Sequence, residues 1–224
     1  MKSITVVIPA YNEESTISDT IQAVKELDNI SKIIVVNDGS TDNTAEIIKR
    51  FDDIELIDLK VNRGKGGAMN SSLPYIDSDI VVFLDADLGS SAKEAYKIIE
   101  PVLQEKADLA IAAFPPPQRK GGFGFVKGTA AWAIRRAGGI ETKAPLSGQR
   151  AMTKEVLKAV TPFSEAYGVE LAMTINALRQ GFKVIEVPTT MKHNETGRDL
   201  AGFIHRGKQF VDVLKVIMNE RRSK

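Results

Sequence analysis

Ile80-Val81-Val82-Phe83-Leu84-Asp85-Ala86-Asp87 is an apolar run that ends abruptly in two carboxylates one residue apart. About five β-branched and aromatic residues in succession indicate a buried parallel strand. Its carboxyl end would then carry Asp85 and Asp87, at the edge where open α/β sheets bind their ligands. Paired carboxylates suit a hard divalent cation such as Mg2+ or Mn2+, which takes oxygen ligands and shares itself with substrate phosphates. The pair points to metal-bridged diphosphate chemistry; the plainer alternative is a solvated turn in which Asp87 caps the next helix.

The same plan recurs upstream. Ile4 to Pro9 is an apolar run ending in Pro9-Ala10-Tyr11-Asn12-Glu13-Glu14, and Lys32 to Asn37 ends in Asp38-Gly39-Ser40-Thr41-Asp42. Between them Ile17, Ile21 and Val24 fall on one helical face, as do Ile47, Ile48 and Phe51. Strand, loop and helix in repetition predict a parallel sheet with right-handed crossovers. Ser40, Thr41 and Asp42 are N-cap candidates with no need of a function, whereas Asp38 follows its strand directly. In Gly64-Lys65-Gly66-Gly67 the glycines admit a ligand close to the backbone, the following helix points its amino end at it, and Lys65 adds a mobile charge. All three favour phosphate, though the spacing is not that of a Walker loop.

These four motifs, in this order, resemble the successive signatures of family 2 glycosyltransferases with the GT-A fold. The resemblance covers the first half of the chain. It implies an α/β fold of GT-A type: a Rossmann-like, mostly parallel sheet flanked by helices, with a smaller acceptor-side region. It further implies a nucleotide-sugar donor, a divalent cation and sugar transfer. By match to the family pattern, Pro9, Ala10, Tyr11, Glu13 and Asp38 would hold base and ribose, Lys65 would touch the donor, and Asp85 and Ala86 would lie at the ribose or sugar. Asp87 would ligate the metal on the diphosphate and so serve catalysis.

The second half carries weaker signals. Phe114-Pro115-Pro116-Pro117-Gln118-Arg119-Lys120-Gly121-Gly122 cannot continue a strand or helix, and divides a donor half, 1–114, from an acceptor-side half, 115–224. Pro145 to Val156 resembles an acceptor-side segment of dolichyl-phosphate mannose synthase-like enzymes, which would bring Gly148 and Arg150 near a phosphate; the alternative is a surface turn with Arg150 solvated. A helix opens around Tyr167-Gly168-Val169-Glu170, with Leu171, Ile175 and Leu178 on one face, and Lys183 to Pro188 is expected as a strand. Glu170 suits the helix dipole, and as an acid entering from the acceptor side it would orient or deprotonate the acceptor hydroxyl. Tyr-Gly-Val-Glu followed by a downstream histidine is similar to glucosyl-3-phosphoglycerate synthases, and that resemblance makes His193 a second metal ligand beside Asp87. Where those enzymes grip the acceptor phosphate, this chain has Phe123 and Phe125 with Lys127 and Thr129, a departure that leaves phosphoglycerate in doubt and an apolar acceptor open.

Composition fits a compact enzyme. The chain has 224 residues, 43% hydrophobic, a net charge of +1 and no cysteine, enough to bury one core and free of disulfide or thiol chemistry. Near-neutral charge gives no nucleic-acid signal, and no apolar stretch is long enough to span a membrane. The expectation is a cytoplasmic protein. From Phe203 onward, apolar residues at helical spacing alternate with Arg206, Lys208, Lys215 and Arg221; such a helix packs on the domain or lies on the inner membrane face beside a polyprenyl phosphate. A homodimer is left open.

The residues thus describe a metal-dependent transferase moving a sugar from a nucleoside diphosphate, UDP foremost, to an undetermined hydroxyl or phosphate such as that of a small phosphorylated metabolite or polyprenyl phosphate, with Glu170, Asp87 and Arg150 as its catalytic groups. Family 2 resemblance implies inversion and the phosphoglycerate-synthase likeness implies retention. Two other classes stand beside this one: an idle nucleotide-sugar sensor, and a sugar nucleotidyltransferase, against which the Ala10-Tyr11-Asn12-Glu13-Glu14 loop argues.

Overall fold

The computed structural model describes residues 2–115, 124–164 and 168–192. His193, Phe123, Tyr167 and the basic carboxyl-terminal segment, for which expectations were stated, lie outside the described residues, as does most of the proline-rich divide. Seven strands form one sheet: β1 (Ile4–Ala10), β2 (Lys32–Asp38), β3 (Glu55–Leu59), β4 (Ile80–Phe83), β5 (Leu109–Ala113), β6 (Arg150–Thr153) and β7 (Val184–Pro188). Their spatial order is β3-β2-β1-β4-β6-β5-β7. Six run parallel, and β6 alone is reversed, pairing antiparallel with β4 on one side and β5 on the other.

The long branched runs Ile4 to Ile8 and Ile33 to Val36 are buried on both faces, as continuous apolar strands of a parallel sheet must be. One face packs on α1 (Ile17–Lys25), where Ile17, Ile21 and Val24 are wholly buried, and on α4 (Tyr96–Leu103). The other carries α3 (Gly64–Ser72), α6 (Lys154–Val160) and α7 (Val169–Arg179). α2 (Thr44–Ile48) is short, with Ile48 buried and Ile47 and Phe51 leaning on the core. A third apolar cluster joins α7, through Leu171, Ile175 and Leu178, to α5 (Gly124–Gly138).

Two features place the site. The loops after β1, β2 and β4 all leave the same edge of the sheet, as parallel strands require. Because β6 is reversed, its beginning abuts the end of β4: Phe83 pairs with Arg150, so the residues just before β6 come up beside Asp85.

Candidate active site

The first two loops are tied to each other. Asn12, in a left-handed conformation (φ 55°) that its short amide side chain tolerates, accepts from Thr41 N at 2.8 Å through Oδ1. In return Asn12 N donates to Ser40 Oγ at 3.0 Å and Glu13 N to Thr44 Oγ1 at 2.8 Å. The N-cap of α2 is Asn43 and none of Ser40, Thr41 and Asp42, although Asp42, one residue earlier, accepts from the amide of Thr44 at 3.0 Å. Asp38 is buried beneath this surface and accepts from Arg63 N at 2.8 Å, which ties the β2 loop to the approach to α3. Gly39, at φ 67°, lies so near the next loop that a Cβ would stand 2.7 Å from Asn62 N; only glycine meets both demands. Burial pushes the Asp38 carboxyl above its ordinary range, against the hydrogen bonds from Arg63 and Gly64. Tyr11 stands at the rim of these loops, 46% exposed.

Asp85 and Asp87 follow β4 directly. Ala86 between them is buried, and its carbonyl accepts from Thr20 Oγ1 of α1 at 2.8 Å, which anchors the turn. Asp85 precedes a stretch of 3-10 helix, Ala86–Ala95, but its side chain caps nothing, and Asp87 lies within the first turn rather than at its cap. Burial and the carboxylates of Asp87, Asp85 and Asp42 push Glu13 above its ordinary range, against a hydrogen bond from Thr16. Acidic groups from three strand ends therefore face one another.

One cation stands among them. Lys65, in the first turn of α3, places Nζ 2.5 Å from Asp85 Oδ1 and 2.8 Å from Glu170 Oε1 in the first turn of α7. It joins the loop after β4 to the second half of the chain. Burial alone would lower the ammonium; the two carboxylates prevail and hold it above its ordinary value. Burial would likewise raise Glu170, but Lys65 and then Arg150 keep it below the usual carboxylate range. α3 can approach this closely because Gly66 lies against the Ser164 carbonyl, where a Cβ would come within 1.9 Å.

The segment before β6 closes the site from behind. A Cβ on Gly148 would lie 2.4 Å from Lys65 Nζ and 2.7 Å from Asp85 Oδ2. Gln149, wholly buried, donates from Nε2 to Asp85 Oδ2 at 2.9 Å. Arg150 is also wholly buried, not solvated: it does not line the open side of the cleft. Its Nε donates to Ser147 O and its Nη1 to Thr174 Oγ1, each at 2.8 Å, while the Thr174 hydroxyl is 2.9 Å from the Glu170 carbonyl. Burial brings this guanidinium down to about 10, against the carboxylates of Glu170, Glu186 and Asp85. It therefore remains charged at neutral pH behind the acidic cluster. Glu186 on β7 accepts from Thr142 Oγ1 and from the amides of Lys143 and Ala144, a brace for the chain leading into Ser147.

Glu13, Lys65, Asp85, Asp87 and Glu170 thus meet at one end of the sheet. Gln149 and Thr174 were not anticipated. Gln149 could have been found only by recognising β6 as a reversed strand, and Thr174 only by its i+4 relation to Glu170. As to a metal, the described residues gather no group of three or more His, Cys, Asp or Glu side chains able to enclose an ion. The arrangement suits a hard cation that takes the rest of its oxygens from phosphate and water. Asp85 and Asp87, side by side after β4, are the carboxylates that could contribute to such a site.

Residues 5–159 match the family model described as Glycosyl transferase family 2. The uncharacterized protein MJ1222 of Methanocaldococcus jannaschii is 32% identical over 85% of this chain and 82% of its own length. The glycosyltransferase AglJ of Haloferax volcanii is 29% identical over 88% of this chain; the match spans 65% of AglJ, less than two thirds of that protein. Among solved structures, glucosyl-3-phosphoglycerate synthase from Mycobacterium tuberculosis with Mg2+ and UDP superposes with a TM-score of 0.80 at 25% identity, over 97% of this chain and 79% of that one. The same enzyme with Mn2+, UDP-glucose and phosphoglyceric acid gives 0.78 at 26%, with the same coverage.

Proposed function

The chain belongs to glycosyl transferase family 2, is a glycosyltransferase and has the GT-A fold, and from that premise we propose that it moves a sugar from a uridine diphosphate sugar to a phosphate-bearing acceptor. The observation that carries this reading is the Lys65 ammonium held between Asp85 and Glu170 where the parallel strands end. The M. tuberculosis enzyme, which shares the fold, binds UDP-glucose and phosphoglyceric acid at 26% identity.

The exposed ring of Tyr11 offers a face for the base, and the Asp38 carboxylate an acceptor for its N–H edge. The diphosphate settles at the amino end of α3, where Gly64 to Gly67 admit it to the backbone and the helix dipole favours negative charge. Asp87, together with donor phosphate oxygens, would hold Mg2+ or Mn2+, which when bound supplies positive charge for the departing diphosphate.

Lys65 links the two halves of the reaction. While its ammonium rests on Glu170, that carboxylate is a poor base. An arriving diphosphate competes for the ammonium, and Glu170 regains basicity only once donor is in place. The acceptor oxygen then bonds to the anomeric carbon as the carbon–oxygen bond to the diphosphate breaks with its electron pair; where that oxygen belongs to a hydroxyl its proton passes to Glu170, and where it belongs to an ionised phosphate no proton is moved. Arg150 acts from behind as a fixed charge that keeps the carboxylates anionic.

The test is a thermal-shift panel of UDP, GDP, CMP and ADP and their sugar conjugates, each with Mg2+, Mn2+ or chelator, since a ligand of the native state raises the melting temperature. A metal-dependent shift with UDP, lost in Asp87→Asn while the unliganded melting temperature holds, is expected. No shift with any nucleotide would overturn the reading. Incubation with 3-phosphoglycerate or a short polyprenyl phosphate then separates the two acceptor sources by which one gains the sugar.

A further inference from the structure

Both carboxylate oxygens of Asp85 have a donor: Lys65 Nζ at 2.5 Å on Oδ1 and Gln149 Nε2 at 2.9 Å on Oδ2. The two donors differ in kind. Lys65 is shared with Glu170 and is partly exposed, so an incoming diphosphate can draw it away. Gln149 is neutral and wholly buried, pinned where reversed β6 meets the end of β4, one residue beyond the Phe83–Arg150 pair. It cannot follow the ligand.

The other end of the same amide is informative. Gln149 Oε1 is buried with no hydrogen-bond partner, and a buried unpaired carbonyl is a cost to the fold. An unbranched apolar side chain of the same length would fill the space without it. What the amide contributes is therefore the bond to Asp85, given without adding charge.

Resting on the donor reading above, we infer that Gln149 is a positioning residue that acts through Asp85. It holds that carboxylate aimed at the hydroxyls of the donor's transferred sugar after Lys65 has turned to the diphosphate. The uridine and phosphate contacts, made by other loops, do not depend on it.

Titration calorimetry with UDP and with UDP-glucose, both with Mn2+, tests this on the unmodified chain and on Gln149→Met and Gln149→Glu. Gln149→Met gives up a hydrogen bond to the Asp85 carboxylate and relieves the unpaired Oε1, so it is expected to melt within about 4 °C of the parent and to bind UDP within about twofold. Its affinity for UDP-glucose should fall roughly 10- to 100-fold, the loss expected when a charged group loses a hydrogen bond. Gln149→Glu, which sets a second carboxylate against Asp85, should lose UDP-glucose at least as severely. Unchanged UDP-glucose affinity in Gln149→Met would overturn the inference, as would an equal loss of UDP and UDP-glucose with a lowered melting temperature, the mark of mere structural support. If the unmodified chain bound neither ligand, the donor reading would fall and this role with it; binding in the parent with no change in the variant would overturn the role alone.

Discussion

Lys65→Met removes the cation that, among the described residues, joins Asp85 to Glu170, and leaves the two carboxylates without it. The side chains of Lys65, Asp85 and Glu170 are 33%, 24% and 15% exposed. Removing one member of a fully buried pair costs about 3–5 kcal/mol; at these exposures water takes up part of the loss, and about 2 kcal/mol is expected. For a chain of this size that lowers the melting temperature by about 4–8 °C. The pH dependence makes the prediction sharper. The folded pKa of Glu170 lies below its ordinary value, so the stability it supplies is complete above the unfolded value of about 4.3 and is lost as pH falls through the folded one. Much of that supply comes from Lys65, so parent and variant should differ most at neutral pH and converge on acidification. Melting curves in chelator at pH 7, 5 and 4 provide the assay, with Lys65→Met/Glu170→Gln recovering part of the loss. A difference that stays constant across that range, or is absent at pH 7, would refute the assignment of Lys65 as the counter-ion of Glu170.

Gly148→Ala puts a Cβ 2.4 Å from Lys65 Nζ. The same Cβ would stand 2.7 Å from Asp85 Oδ2, which Gln149 holds in place, so the Lys65–Asp85 pair must part: the melting temperature should fall by about 4–8 °C and donor affinity roughly tenfold or more, measured by calorimetry with UDP-glucose. Glu13 binds its proton more tightly folded than unfolded, so its ionisation costs stability as pH rises from the unfolded value through the folded one. Glu13→Gln should therefore raise the melting temperature in chelator at pH 7 and show a smaller gain at pH 4.

The parts legible in the sequence were those with long, one-sided signals. β1, β2 and β4 announce themselves as branched runs that stop at acids, and a parallel sheet then dictates that Glu13, Asp38, Asp85 and Asp87 share an edge. β3 escaped because Glu55-Leu56-Ile57-Asp58-Leu59 is a half-buried edge strand with interrupted alternation. The alanine-rich Leu109-Ala110-Ile111-Ala112-Ala113 has little β propensity. β6 is four residues long and opens with an arginine, a residue whose usual place is the surface. Its absence from the sequence reading hid both the burial of Arg150 and the contact of Gln149 with Asp85. The Lys65–Glu170 pair is a matter of tertiary approach between α3 and α7, which no local pattern encodes.

The reversed strand also bears on how the chain is made. β4 and β5 do not touch; β6, synthesised after both, lies between them. Until Thr153 has left the ribosome, β4 presents an unpaired edge of buried-type residues, Ile80 to Phe83, and β5 has no neighbour from the earlier strands. Such an edge invites pairing with other chains. A fragment ending near residue 114 would thus be no independent nucleotide-binding module but an incomplete sheet, prone to aggregate until its wedge arrives.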